Sequence, residues 1–297
     1  MAIVRRIGVV ALLGAVLCLG TGSAAWAVPY SYTIDSFSIT KDAAGLFADP
    51  FDNGAPPPSA PNLSTGAPIS YAMTGTMGPE DTGAPGRLTM AQSGAVLATS
   101  PTGVSELFQR AMLATSIQDV SVSTLGLKNN VSFSVSGIFD LASLPSQDGD
   151  QFGIRLEDFG PSSQAGDDVL VLRLLNLAGD LFVSFARFDF IAHTVTGIGL
   201  TAFAPAVGDD QIRFTLSSSD PDNNNVFDVI SASFAYVDGG VEGTATTFAN
   251  TTDIFNGETY TRAGFYARRV EVPEPATLAL LGLGLVAIGL ARRRRVV

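Results

Sequence analysis

The chain has 297 residues, with 17 Lys and Arg against 28 Asp and Glu, a formal net charge of -11, one Cys and one His. An acidic surface of this kind repels nucleic acid and anionic lipid. One His and one Cys are too few for a His- or Cys-rich metal centre.

The N-terminus opens with Arg5 and Arg6, followed by an apolar run from Ile7 to Leu19 and small residues ending Ala24-Ala25-Trp26-Ala27. A positive start, a short apolar core and an A-x-A pattern at Ala25 and Ala27 predict a secretory signal peptide over residues 1–27. The run is shorter than the roughly 20 residues that a spanning helix needs. Signal peptidase is expected to cut after Ala27. Cys18 and Trp26, the sole residues of their types, leave with the peptide. The exported body then has no thiol, so it forms no disulfide and its stability rests on its core. Residues 28–271 hold 11 basic and 27 acidic residues, a net charge of -16.

The body reads as strands separated by turns. Tyr30 to Ile39 is the predicted first strand. Asp49 to Pro61 is a turn cluster, and Leu107, Phe108, Ala111 and Met112 predict a short helix over Val104 to Leu113. Val131, Phe133 and Val135 alternate with Ser132, Ser134 and Ser136, the period-2 signature of a half-buried strand. Val169 to Leu175 is more continuously apolar and predicts a central strand. Alternation returns at Leu181, Val183, Phe185, at Ile212, Phe214, Leu216, and at Ile230, Ala232, Phe234, Tyr236. Ala263 to Val270 is the predicted last strand. Turn residues cluster at Ser146 to Asp150, Pro161 to Asp168, Asp209-Asp210 and Asp220 to Asn225. The pattern predicts an all-β, antiparallel β-sandwich or barrel.

Few residues point to chemistry. Glu157 and Asp158 are adjacent, so in a strand they face opposite sides and do not form a same-face carboxylate pair. His193 would have to serve any Ser-His-Asp triad, and no Gly-x-Ser-x-Gly accompanies it. Asp220, Asp222, Asn224 and Asp228 present alternating oxygens that suit Ca²⁺, although the same residues favour a plain hairpin turn. Asp148 with Asp150, and Asp167 with Asp168, are lesser candidates. No other cofactor is expected. Thr246, Thr247, Thr251 and Thr252 form no regular array along the chain, and no internal repeat is visible.

The C-terminus reads Val272-Pro273-Glu274-Pro275, an uncharged apolar run over 276–291, then Arg292, Arg293, Arg294 and Arg295. The prolines favour an extended segment ahead of the helix. The run predicts a transmembrane helix, short enough to require local thinning of the bilayer. Arginines at its end stay in the cytoplasm by the positive-inside rule. That topology agrees with the signal peptide.

Residues 272–297 resemble the PEP-CTERM sorting signal of Gram-negative bacteria: Pro273, Glu274 and Pro275, then a Gly-rich apolar helix, then an Arg cluster. The same tail is also labelled an ice-binding protein C-terminal region, a label that describes the tail and not the body. The resemblance implies export, an inner-membrane-anchored intermediate, and processing by an exosortase, with delivery to the cell surface or extracellular matrix alongside exopolysaccharide or biofilm. The middle of the body, from Val131 through Asp150-to-Asp158 to Phe234-to-Gly240, resembles jelly-roll sandwiches of the concanavalin A-like lectins and glucanases. Together these imply an exported, non-enzymatic surface or matrix protein that contacts extracellular polysaccharide. A lectin-like glycan-binding module and a secreted glycoside hydrolase are the alternatives.

Overall fold

The computed structural model describes residues 30–52, 63–64, 66, 69–78, 86–91, 96–99, 105–114, 125, 127–128, 131–157, 168–220, 222–227, 229–248 and 259–270. These belong to one compact unit, Tyr30–Glu271. Signal-peptide residues Ala25 and Ala27, sorting residues Pro273, Glu274 and Pro275, Arg292 to Arg295, and Asp228 lie outside the described residues.

All regular structure among the described residues is β. In chain order the strands are β1 (Ser31–Lys41), β2 (Ala44–Asp49), β3 (Ser70–Thr74), β4 (Leu88–Ala91), β5 (Val96–Thr99) and β6 (Ser105–Ala114). Next come β7 (Leu127–Lys128), β8 (Phe133–Asp140), β9 (Gln151–Glu157), β10 (Asp168–Leu177), β11 (Asp180–Asp189) and β12 (Thr194–Ala202). The last six are β13 (Gln211–Ser219), β14 (Val229–Asp238), β15 (Val241–Glu242), β16 (Thr246–Thr247), β17 (Thr259–Tyr260) and β18 (Arg262–Val270).

Two eight-stranded antiparallel sheets carry the fold. The first runs β15-β14-β13-β8-β1-β2, with β16 on β14 and β4 on β1. The second runs β12-β11-β10-β9-β18-β6-β3, with β5 on β6. A two-stranded ladder of β7 and β17 stands apart. The first and last long strands, β1 and β18, lie inside opposite sheets, where Phe37 meets Phe265 at 5.7 Å between ring centroids.

Alternation supplies the core. β8 and β13 bury every second residue, so Phe139 and Phe214 point inward while Ser134, Ser136, Thr215 and Ser217 point out. From the second sheet Phe152 answers them, 5.1 Å from Phe139 and 4.9 Å from Tyr32. Each such buried aromatic stabilises the fold by about 1.5–3 kcal/mol relative to exposure. Gly137 lets the sheets approach: a Cβ there would sit 2.9 Å from Ile154 Cγ2 of the opposing sheet. The layers therefore form a two-sheet sandwich around a shared aromatic core.

The expected helix over Val104 to Leu113 is instead strand β6. Its backbone pairs with β18 on one edge and with β3 and β5 on the other. Two ladders outweigh a local helical pattern, since propensity yields to tertiary pairing. Adjacent Ala111 and Met112 are both fully buried, as an interior strand covered on both faces requires. The expected central strand at Val169 to Leu175 is β10, flanked by β9 and β11. Tyr236 sits half-buried at the core's rim, its hydroxyl accepting the Ala204 N–H at 2.9 Å.

An ion pair closes one end of the core. Arg269 donates from Nε and Nη2 to the Asp150 carboxylate at 2.9 and 2.7 Å, with both side chains buried. The same guanidinium lies 5.2 Å from the Tyr30 ring centroid. Burial pushes the hydroxyls of Tyr30 and Tyr32 well above the usual tyrosine range.

Candidate functional site

Because the inward residues are fixed by packing, the outward residues of each sheet are fixed too. On the second sheet, inward Phe152, Ile154 and Leu156 leave Gln151, Arg155 and Glu157 on the outer face. Register places Tyr266 of β18 and Arg173 of β10 across from Gly153. Arg262 of β18 lies across from Glu157, and Arg110 of β6 across from Tyr266. Glu157 is the one carboxylate of this cluster. Its Oε1 accepts from Arg110 Nη1 and, at 2.6 Å, from Arg155 Nη2. Arg173 Nη1 donates to Gln151 Oε1, which also accepts the Tyr266 hydroxyl at 2.9 Å. Arg173 lies 5.2 Å from the Phe188 ring centroid and Arg155 lies 5.4 Å from that of Tyr266. Burial raises the Tyr266 hydroxyl pKa, with the nearby arginines opposing it, and lowers that of the Arg262 guanidinium, with Glu157 opposing.

Guanidinium forks match carboxylate and sulfate, so this cluster is a first candidate for an anion site. The geometry assigns it another role. Arg155, Arg173 and Arg262 are less than a tenth exposed, and Glu157 not at all. Donors and acceptors here meet one another across four strands. Such a network specifies register and is costly to break.

The outer face of the first sheet differs. Ser38 of β1 lies opposite Ser136 of β8, which lies opposite Thr215 of β13, then Ser233 of β14 and Thr247 of β16. A second row runs Thr40, Ser134, Ser217, Ser231 over β1, β8, β13 and β14. Neighbouring strands put the hydroxyls of a row about 4.8 Å apart, and the rows lie about 6.8 Å apart along the strands. All of these residues are half-buried or exposed, so the array is open to solvent. Beside it Arg213 forms an ion pair with Glu242 at 2.8 Å and reaches Ser136 Oγ at 3.4 Å. Farther along, a bulge in β1 sets Asp35 beside Arg87 at 3.3 Å, and Arg87 also meets Asp140 at 3.1 Å. Burial raises the Asp35 carboxyl, opposed by Arg87 and by the Gln211 amide.

The predicted residues are placed as follows. Asp220 accepts the backbone N–H groups of Asn224 at 3.1 Å and Asn225 at 2.8 Å. Asn224 Nδ2 donates to Asp222 at 2.9 Å, and Asn223 and Asn225 adopt positive φ. The 220–226 loop thus closes on its own side chains, and the fourth residue of the set, Asp228, is outside the described residues. Among the described residues no group of three or more His, Cys, Asp or Glu stands close enough to hold a metal. His193 is exposed in the β11–β12 turn with φ of 54°. Asp148 accepts the Ala178 N–H at 2.8 Å, and Asp150 belongs to the Arg269 pair. Asp158 and Asp167 lie outside the described residues.

The hydroxyl array escaped sequence reading. Alternating serines were visible strand by strand, but their rows exist only through cross-strand register. The Arg-Glu network was likewise hidden, since its partners come from β6, β9, β10 and β18.

Residues 271–295 match the PEP-CTERM protein-sorting motif. A search of curated proteins finds no match. Among solved structures, the chain is similar to the metal-free lectin I-B4 of Griffonia simplicifolia, with 9% identity and a TM-score of 0.37 over 69% of this chain and 87% of that one. It is also similar to a bifunctional GH43-CE protein of Bacteroides eggerthii, with 12% identity and a TM-score of 0.24 over 55% of this chain and 21% of that one. An engineered GH43 glycoside hydrolase with endo-xylanase and exo-arabinofuranosidase activity gives 12% identity and a TM-score of 0.26 over 72% and 53%. At these scores the likeness does not extend to a site or an activity.

Proposed function

We propose that this chain is a non-enzymatic surface or matrix protein, sorted by an exosortase, whose jelly-roll, concanavalin A-like body contacts extracellular polysaccharide. The sorting motif at residues 271–295 carries the reading, because it implies an exported protein that an exosortase processes. The body is consistent with that route. It is acidic, needs no disulfide, and is built on a large aromatic core that stands without redox help.

Replacing Pro273-Glu274-Pro275 by alanines in a host that has an exosortase tests it. The C-terminal segment should then stay attached and the protein should remain with the membrane fraction. Normal removal of the tail from the variant contradicts the sorting assignment. Calcium at Asp220, Asp222, Asn224 and Asp228 is a separable part of the reading. A polysaccharide pull-down with and without Ca²⁺ decides it: retention that rises with the ion supports the site, and equal retention removes it.

A further inference from the structure

Around its two hydroxyl rows the outer face of the first sheet is uncharged, and its carboxylates Asp35 and Asp140 lie farther along, on either side of Arg87. The nearest charged pair, Arg213 with Glu242, cancels. We propose that this face docks a neutral polysaccharide chain laid across β1, β8, β13 and β14, with Ser38, Ser136, Thr215 and Ser233 as the central contacts. The inference rests on the surface-protein reading above and names its ligand class.

Three features select this occupant. A hydroxyl both donates and accepts, so a row of them complements a polyol, which offers both along its length. The body's net charge of -16 disfavours the approach of a polyanion, whereas a neutral chain meets no such repulsion at the uncharged rows. The face lacks a large apolar patch: Ile138, in line with Arg213, is its sole large aliphatic in the three rows from Ser36 to Thr40, and it is half-buried. That disfavours a protein partner, whose interface core is apolar. Single hydroxyl contacts are weak because each replaces one to water. Several in register act together through effective concentration. Sheet twist rotates successive strands by about 20–25°, so the rows follow a flexible polymer better than a rigid crystal plane such as ice.

The test uses the exported protein in affinity electrophoresis against three neutral polymers (dextran, laminarin and galactomannan) and one polyanion, polygalacturonate. Retardation is expected with at least one neutral polymer, unchanged in 1 M NaCl (roughly a 3 Å Debye length), and absent with polygalacturonate. The Ser136→Ala, Thr215→Ala, Ser233→Ala triple variant should lose at least tenfold in affinity with its unfolding midpoint unchanged. Thr215→Ser in place of Thr215→Ala in that variant should recover part of the loss. No retardation by any neutral polymer overturns the proposal, as do stronger retardation by polygalacturonate, equal retardation of the triple variant, or inhibition of ice recrystallisation without polymer binding. Tail processing is scored separately on the same samples. A protein processed at its tail but never retarded sinks the docking face and leaves the sorting reading standing; the converse result does the reverse.

Discussion

The two outward sheet faces obey the same period-2 rule and reach opposite ends. On the second sheet the outward positions of β9, β10 and β18 carry Arg155, Glu157, Arg173, Arg262 and Tyr266, all less than a tenth exposed, with Arg155 paired to Glu157 and both Arg173 and Tyr266 bonded to Gln151. On the first sheet the outward positions of β1, β8, β13 and β14 carry two rows of serines and threonines that are half-buried or exposed. A charge taken out of water must find its partner inside the fold, so the second face is welded. A hydroxyl at a sheet surface can exchange water for a ligand, so the first face can meet one without giving up a buried charge. Composition alone would have suggested the reverse, with arginines as the binding residues.

That contrast can be broken from its rigid side first. Arg269→Ala leaves the Asp150 carboxylate buried without its ion pair, and should cost about 3–5 kcal/mol in denaturant unfolding. Glu157→Gln leaves Arg110 and Arg155 facing a neutral amide, and should cost on the order of 3 kcal/mol by the same measurement. A loss below about 0.5 kcal/mol in either variant would mean that the charged network is solvated after all.

A smaller effect appears in pH dependence. Burial raises the Asp49 carboxyl above the ordinary aspartate range, opposed by hydrogen bonds from the Phe51 N–H and the Tyr71 hydroxyl. The native state therefore holds this proton more tightly than the unfolded chain does. The Asp49 contribution to stability is fully present below the unfolded pKa, falls as pH rises toward the folded pKa, and is flat above it. Asp49→Asn should match the wild type near pH 3 and exceed it at pH 7. A variant less stable than the wild type at pH 7 contradicts this.

The smallest effect belongs to the open face. Ser136→Ala with Thr215→Ala should change unfolding free energy by no more than about 0.5 kcal/mol, as surface substitutions do. A larger loss would show that these hydroxyls hold the sheet together instead of facing a ligand.

Much of the sandwich was readable from the chain, because Phe133, Val135, Ile212 and Phe214 alternate with polar residues and one buried face leaves them a single register. The strand at Ser105–Ala114 was not, because Leu107, Phe108, Ala111 and Met112 fit a helix equally well and only the two flanking ladders decide. Arg155, Arg173 and Arg262 carry no signal in the chain itself, since burial of a charge depends on which strands bring partners. The hydroxyl rows depend in the same way on register between β1, β8, β13 and β14, which are far apart in the chain.

The intact mass of the exported protein tests most directly the route by which this acidic sandwich is delivered. The predicted product begins at Val28 and lacks Arg292 to Arg295. A released protein that still begins at Met1, or still ends at Val297, would contradict it.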